Sequence, residues 1–106
     1  MNKMERDGKV AVLYSPGFGA GWVSWAEDRH KDLLAFDADI VQAVLDGDRS
    51  KAAALAVEKC GEDSLCTIGA DQLEVMWLEK GTLFEINEYD GKESVHVIGS
   101  RGYMKA

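Results

Sequence analysis

"LEVMWLEKGTLFEINEYDGKESVHVIGS", residues 73–100, decides how this chain is read. Its apolar and polar residues alternate, the period of a strand with one buried face. Two reversals punctuate it, Lys80-Gly81 and Asp90-Gly91. Asp-Gly is a strong signal for a two-residue hairpin turn, whose central positions need positive φ. With Asp90-Gly91 as the loop, Tyr89 pairs with Lys92, Glu88 with Glu93, Asn87 with Ser94, Ile86 with Val95, Glu85 with His96 and Phe84 with Val97. Lys80-Gly81 treated the same way sets Trp77 opposite Phe84 and Val75 opposite Ile86. Strand side chains alternate between faces, so both turns collect Leu73, Val75, Trp77, Phe84, Ile86, Val95 and Val97 on one apolar face.

Upstream, "KVAVLYS" (9–15) is a short β-branched run stopped by Pro16 and Gly17, and reads as a buried strand. "DADIVQAVLDG" reads as a helix, with Asp37 as N-cap, an apolar stripe of Ile40, Val41, Val44 and Leu45, and Gly47 past its end. "DRSKAAALAVEKCG" repeats that grammar: Asp48 or Ser50 caps it, Gly61 stops it, and its alanines allow a neighbouring helix to approach closely. The expected fold is α+β, a two-layer sandwich. An antiparallel β-meander plus an N-terminal strand is covered by two helices, in the order β-α-α-β-β-β.

The 106 residues make one domain spanning 1–106. A charge of −7 argues against direct nucleic-acid binding, because phosphates repel it. The opening "MNKMERDGK" has no apolar core of a secretion signal and no run reaches membrane-spanning length, so the expected location is cytoplasmic, with no membrane contact. In that compartment Cys60 and Cys66 are expected to be free thiols. Neither a metal site nor a cofactor is expected, since ligands at characteristic spacing are absent.

The face opposite the apolar one is mixed. Met76, Leu78, Leu83 and Ile98 lie toward one end, and an exposed patch of that kind marks a homo-oligomer interface, a surface covered by the first residues or the "RGYMKA" tail, or the floor of a pocket with a polar end. Glu85 and His96 lie beyond them as cross-strand neighbours, which opens a second reading as the acid/base pair of a small enzyme. The Glu88–Glu93 pairing sets two like charges opposite each other and asks for relief.

"YSPGFGAGWVSW" (14–25) follows a strand, as a phosphate loop would. It fails the dinucleotide pattern, because Trp22 stands where the third glycine belongs, and it lacks the lysine and hydroxyl of a triphosphate loop. Its glycines allow positive φ and close approach of chain to chain. Phe18, Trp22 and Trp25, with Tyr14 before them, either form a core under a tight loop or project as rings that stack a planar ligand.

"LYSPGFGAGW", "CTIGADQLEVMWLEKG" and "FEINEYDGKESV" together resemble a family of small proteins of bacteriophages, prophages and other mobile elements, over most of the chain. That resemblance implies an accessory role and lends no catalytic residue. With it, the sequence reads as a non-enzymatic binding protein. Its expected ligand-binding residues are Tyr14, Phe18, Trp22, Trp25, Glu85 and His96, and its expected target is a host protein or a small nucleotide-like ligand. A third reading, from charge alone, is an acidic nucleic-acid mimic that inhibits a host defence protein.

Overall fold

The computed structural model describes residues 3–17, 21–61, 69–89, 92–97 and 104–106, and in them the α+β class holds. Phe18, Gly19, Cys66, the Asp90-Gly91 turn and Ile98 lie outside the described residues. The order is β1 (Glu5–Arg6), β2 (Lys9–Tyr14), α1 (Asp28–Phe36), α2 (Ala38–Leu45), α3 (Arg49–Cys60), a 3-10 turn (Ala70–Gln72), β3 (Glu74–Glu79), β4 (Leu83–Tyr89), β5 (Lys92–Val97) and β6 (Met104–Lys105). The strands form two antiparallel sheets, β1-β2-β3 and β5-β4-β6.

The first sheet starts from a turn that sequence reading passed over. Asp7 and Gly8 have φ of 52° and 78°, the paired positive angles of a type I′ hairpin, and they set Arg6 opposite Lys9. β2 lies in the middle and pairs along its length with β3, from Lys9 opposite Glu79 to Tyr14 opposite Glu74. Val10, Ala11, Val12 and Leu13 are all buried, so this strand is covered on both faces.

The expected meander breaks here. Trp77 pairs with Ala11 and Val75 with Leu13, in place of Phe84 and Ile86. The cause is a corner at Lys80–Thr82. Gly81, at φ 90°, donates its N–H to the Ala106 carbonyl, and Ala106 donates its own to Thr82. Residues 104–106 thereby occupy the edge of β4 that β3 would have taken, with Leu83 opposite Lys105 and Phe84 opposite Met104. The β4–β5 hairpin keeps the expected register from Phe84–Val97 to Tyr89–Lys92. Phe84, Ile86 and Val95 face the core on it, whereas Val97 is 66% exposed.

Three described helices replace the expected two. α1 and α2 pack on β2, and α3 packs on α2 and on the 3-10 turn. The Asp37 carboxylate caps α2 by accepting from Ile40 N–H at 3.1 Å, and Asp48 caps α3 through Lys51 N–H at 3.0 Å. Between them Gly47, at φ 77°, donates to Val44 and Asp48 donates to Ala43, the Schellman pattern that closes a helix end. Ala52, Ala56 and Cys60 form the buried stripe of α3, and their small side chains let it lie close to α2. Cys60 is disulfide-bonded, which overturns the expected free thiol.

Candidate functional site

The stretch that leaves β2 is held by one side chain. Glu93, 3% exposed on β5, accepts from Ser15 N–H at 2.8 Å through Oε1. Through Oε2 it accepts from Val23 N–H at 2.7 Å, Ser24 N–H at 2.7 Å and the Ser24 hydroxyl at 2.8 Å. Its cross-strand neighbour Glu88 accepts from the Trp25 indole N–H at 2.6 Å. Both carboxylates of the hairpin thus accept hydrogen bonds from neutral donors of the loop.

The loop's glycines serve close approach. A Cβ on Gly21 would lie 2.6 Å from Trp25 Cγ, and one on Gly17 would collide with Gln72. Neither has the positive φ that was expected together with close approach. Trp22 is fully buried and donates its indole N–H to the Leu34 carbonyl at 2.7 Å. The ring has no open face for a ligand, because a large apolar side chain with its polar atom satisfied belongs in the core. Trp25 is 41% exposed, and Tyr14 closes β2 opposite Glu74, half-buried.

Glu85 and His96 are cross-strand neighbours, yet each is engaged on its own strand. Asn87 donates to Glu85 at 3.1 Å, and His96 Nε2 lies 2.9 Å from the Ser94 hydroxyl. The acid/base pair of the enzyme reading is thus not joined. The expected interface also divides: Met76 and Leu78 lie in the first sheet and Leu83 in the second, all half-buried within one chain. One exposed face cannot form from strands that the corner at Gly81 sends into different sheets.

What the fold does build is a cleft of about 480 Å³ where the end of the loop, α1 and the second sheet meet. α1 contributes Asp28, Lys31 and Asp32. Val23 and Ser24 come from the loop, Glu85 and Ile86 from β4, and Met104 from β6. Three carboxylates against one ammonium leave two negative charges over a partly apolar wall. Lys31 lies 3.7 Å from Asp28, one turn away on the same helix, so its charge is drawn toward that carboxylate. Among the described residues no cluster of His, Cys, Asp and Glu has the arrangement of a metal site.

Of the expected residues that the structure describes, only Glu85 lines this cleft. α1 was missed because its apolar residues bunch at its end, Leu33 to Phe36, and Glu27 gives it no side-chain cap. Its acidic first turn was therefore not placed on any surface.

No protein-family model matches the chain, and neither does any curated protein or solved structure.

A second hollow, about 330 Å³, lies beside the first hairpin and is lined by Arg6, Asp7, Lys9 and Trp77. The Arg6 guanidinium stands 5.4 Å from the centroid of the Trp77 ring. No helix among the described residues is long and apolar enough to cross a membrane.

Proposed function

We propose that this chain is a non-enzymatic accessory binding protein, of the kind its likeness to mobile-element proteins implies. Its cleft between α1 and β4 holds a small molecule with a positive charge and an apolar body. One observation carries this reading: a cavity of about 480 Å³ with carboxylates at its rim and Val23, Ile86 and Met104 in its wall. That volume falls within the roughly 300–1,000 Å³ of ligand pockets, which join apolar lining to a few placed charges. The two net negative charges favour an ammonium group and oppose a phosphate.

The test is a titration of methyl NMR signals with cadaverine and spermidine, and with adenosine monophosphate as the opposite arm. The amines should shift Val23, Ile86 and Met104, and more weakly as salt is raised. Asp28→Asn with Asp32→Asn should remove the response while the fold is kept. Amines that leave those methyls unmoved, or an equal response to the nucleotide, would refute the assignment.

A nucleotide-like ligand has a separate claim at the second hollow, where Arg6 and Lys9 flank the Trp77 indole. Shifts at Trp77 and Ala11 with adenosine monophosphate alone would favour that reading. A disulfide at Cys60 supports an oxidising compartment over the cytoplasmic one expected, because reducing surroundings open such bonds.

A further inference from the structure

Among the described residues Glu93 is a buried carboxylate with no cation bonded to it. Every donor it meets among the described residues is neutral: the N–H groups of Ser15, Val23 and Ser24, and the Ser24 hydroxyl. A charge this deep is costly unless it is fully bonded. Four bonds of 2.7–2.8 Å, short as charge-assisted bonds are, supply that. Backbone N–H groups that converge on one point form a concave anion site of the sort that cradles phosphates and carboxylates. Two of the three, Val23 and Ser24, are successive along the chain, so one short backbone segment aims two dipoles at the same oxygen.

The cradle and its occupant come from distant parts of the chain. Ser15 ends the run from β2, whereas Glu93 lies on β5, and its own N–H donates to the Ser15 carbonyl at 2.8 Å. Nothing in the donor set is specific for a glutamate side chain. Three amides and a hydroxyl recognise two oxygens sharing a negative charge.

We propose that Ser15, Val23 and Ser24 form a binding site for a small carboxylate or oxyanion, and that Glu93 fills it as a tethered ligand. The tether holds the carboxylate at an effective concentration in the millimolar range or above, so free anions are excluded from the intact protein. Removal of the side chain beyond Cβ empties the cradle and leaves its donors in place. The proposal is independent of what occupies the cleft.

The experiment is thermal unfolding of Glu93→Ala in sodium formate and in sodium phosphate, against sodium chloride at equal ionic strength. The variant's midpoint in chloride should fall by on the order of 10 °C, from the loss of several charge-assisted bonds in a domain this size. Formate should restore a saturable part of that loss, and wild type should unfold alike in both salts. Phosphate restores it too if the cradle accepts any oxyanion, whereas formate alone marks a carboxylate site. Ser24→Ala added to Glu93→Ala should raise the half-saturating formate concentration several-fold. Glu93→Gln, whose amide still fills the space, should gain nothing from formate and should show faster amide exchange at Val23 and Ser24. The proposal is overturned by recovery no greater than in chloride, by equal recovery in wild type or Glu93→Gln, or by a Glu93→Ala chain that stays unfolded at every formate concentration.

Discussion

Gly21 and Trp25 show what the glycine-rich stretch is for. The indole lies where the Cβ of any other residue would stand, and Ser24, which bonds Glu93, is only 2.8 Å from the same point. Gly21→Ala must push the ring or the serine aside. Overpacking of this kind costs about 1–3 kcal/mol, a fall of roughly 4–8 °C in midpoint per kcal/mol for a domain near this size. Calorimetry checks it, and an unchanged midpoint would mean that the ring is not packed there. Close approach was legible in the spacing of the glycines. Which aromatic ring goes inward was not, because Trp22 and Trp25 look alike in sequence. Only the Leu34 carbonyl, brought by α1, gives Trp22 a buried partner.

Elements with conventional ends were the most readable part of the chain. Asp37, Gly47, Asp48 and Gly61 stand at the helix boundaries their chemistry predicts: the first three satisfy backbone groups that a helix end leaves open, and Gly61 takes a positive φ of 73° past the end of α3. α2 and α3 are further joined by Lys59, whose ammonium reaches Asp37 at 2.9 and 3.0 Å and Asp39 at 2.8 Å. The hydrogen bond from Lys59, and then its charge, hold the Asp39 carboxyl below the ordinary range. Bonds to Asp39 and Asp37 raise Lys59 above its own ordinary value. The signs follow from linkage. Asp39's share of stability is present above about pH 4 and fades as pH falls through its lowered value. Lys59's share is present below about pH 10.4 and fades as pH rises through its raised one. Lys59→Met strips a buried carboxylate, Asp37, of its charged partner and should cost roughly 1–3 kcal/mol at neutral pH. In urea unfolding the gap from wild type should be flat between about pH 5 and 10 and narrow at more acid pH. A gap that widens on acidification would contradict this account.

At the scale of the molecule the two sheets are distinct, and a few contacts tie them. Phe84 of β4 meets Phe36 at the end of α1 edge-to-face, with centroids 5.9 Å apart and planes at 87°. Both rings are buried, and Lys3 stands 4.1 Å from the centroid of Phe36 on its way to the Lys105 carbonyl. Glu93 supplies another tie, to Ser15, Val23 and Ser24. Phe84→Ala should cost about 3–5 kcal/mol, a large share of the roughly 5–15 kcal/mol that holds a domain together. A urea midpoint close to wild type would show that the sheets do not depend on this contact. The cleft exists because these ties bring α1 against β4, so it is a product of assembly and no single element carries it.

Local chemistry was enough to establish the helix caps, the β4–β5 register and the burial of β2, since each depends on residues a few positions apart. The Asp7-Gly8 hairpin carries the same signal as Asp90-Gly91 and was equally available. Tertiary structure alone decided that β3 joins β2, that residues 104–106 take the free edge of β4, and that Glu93 turns into the loop. Each is a competition among distant segments for the same hydrogen-bonding groups, and a one-dimensional pattern does not say which segment arrives.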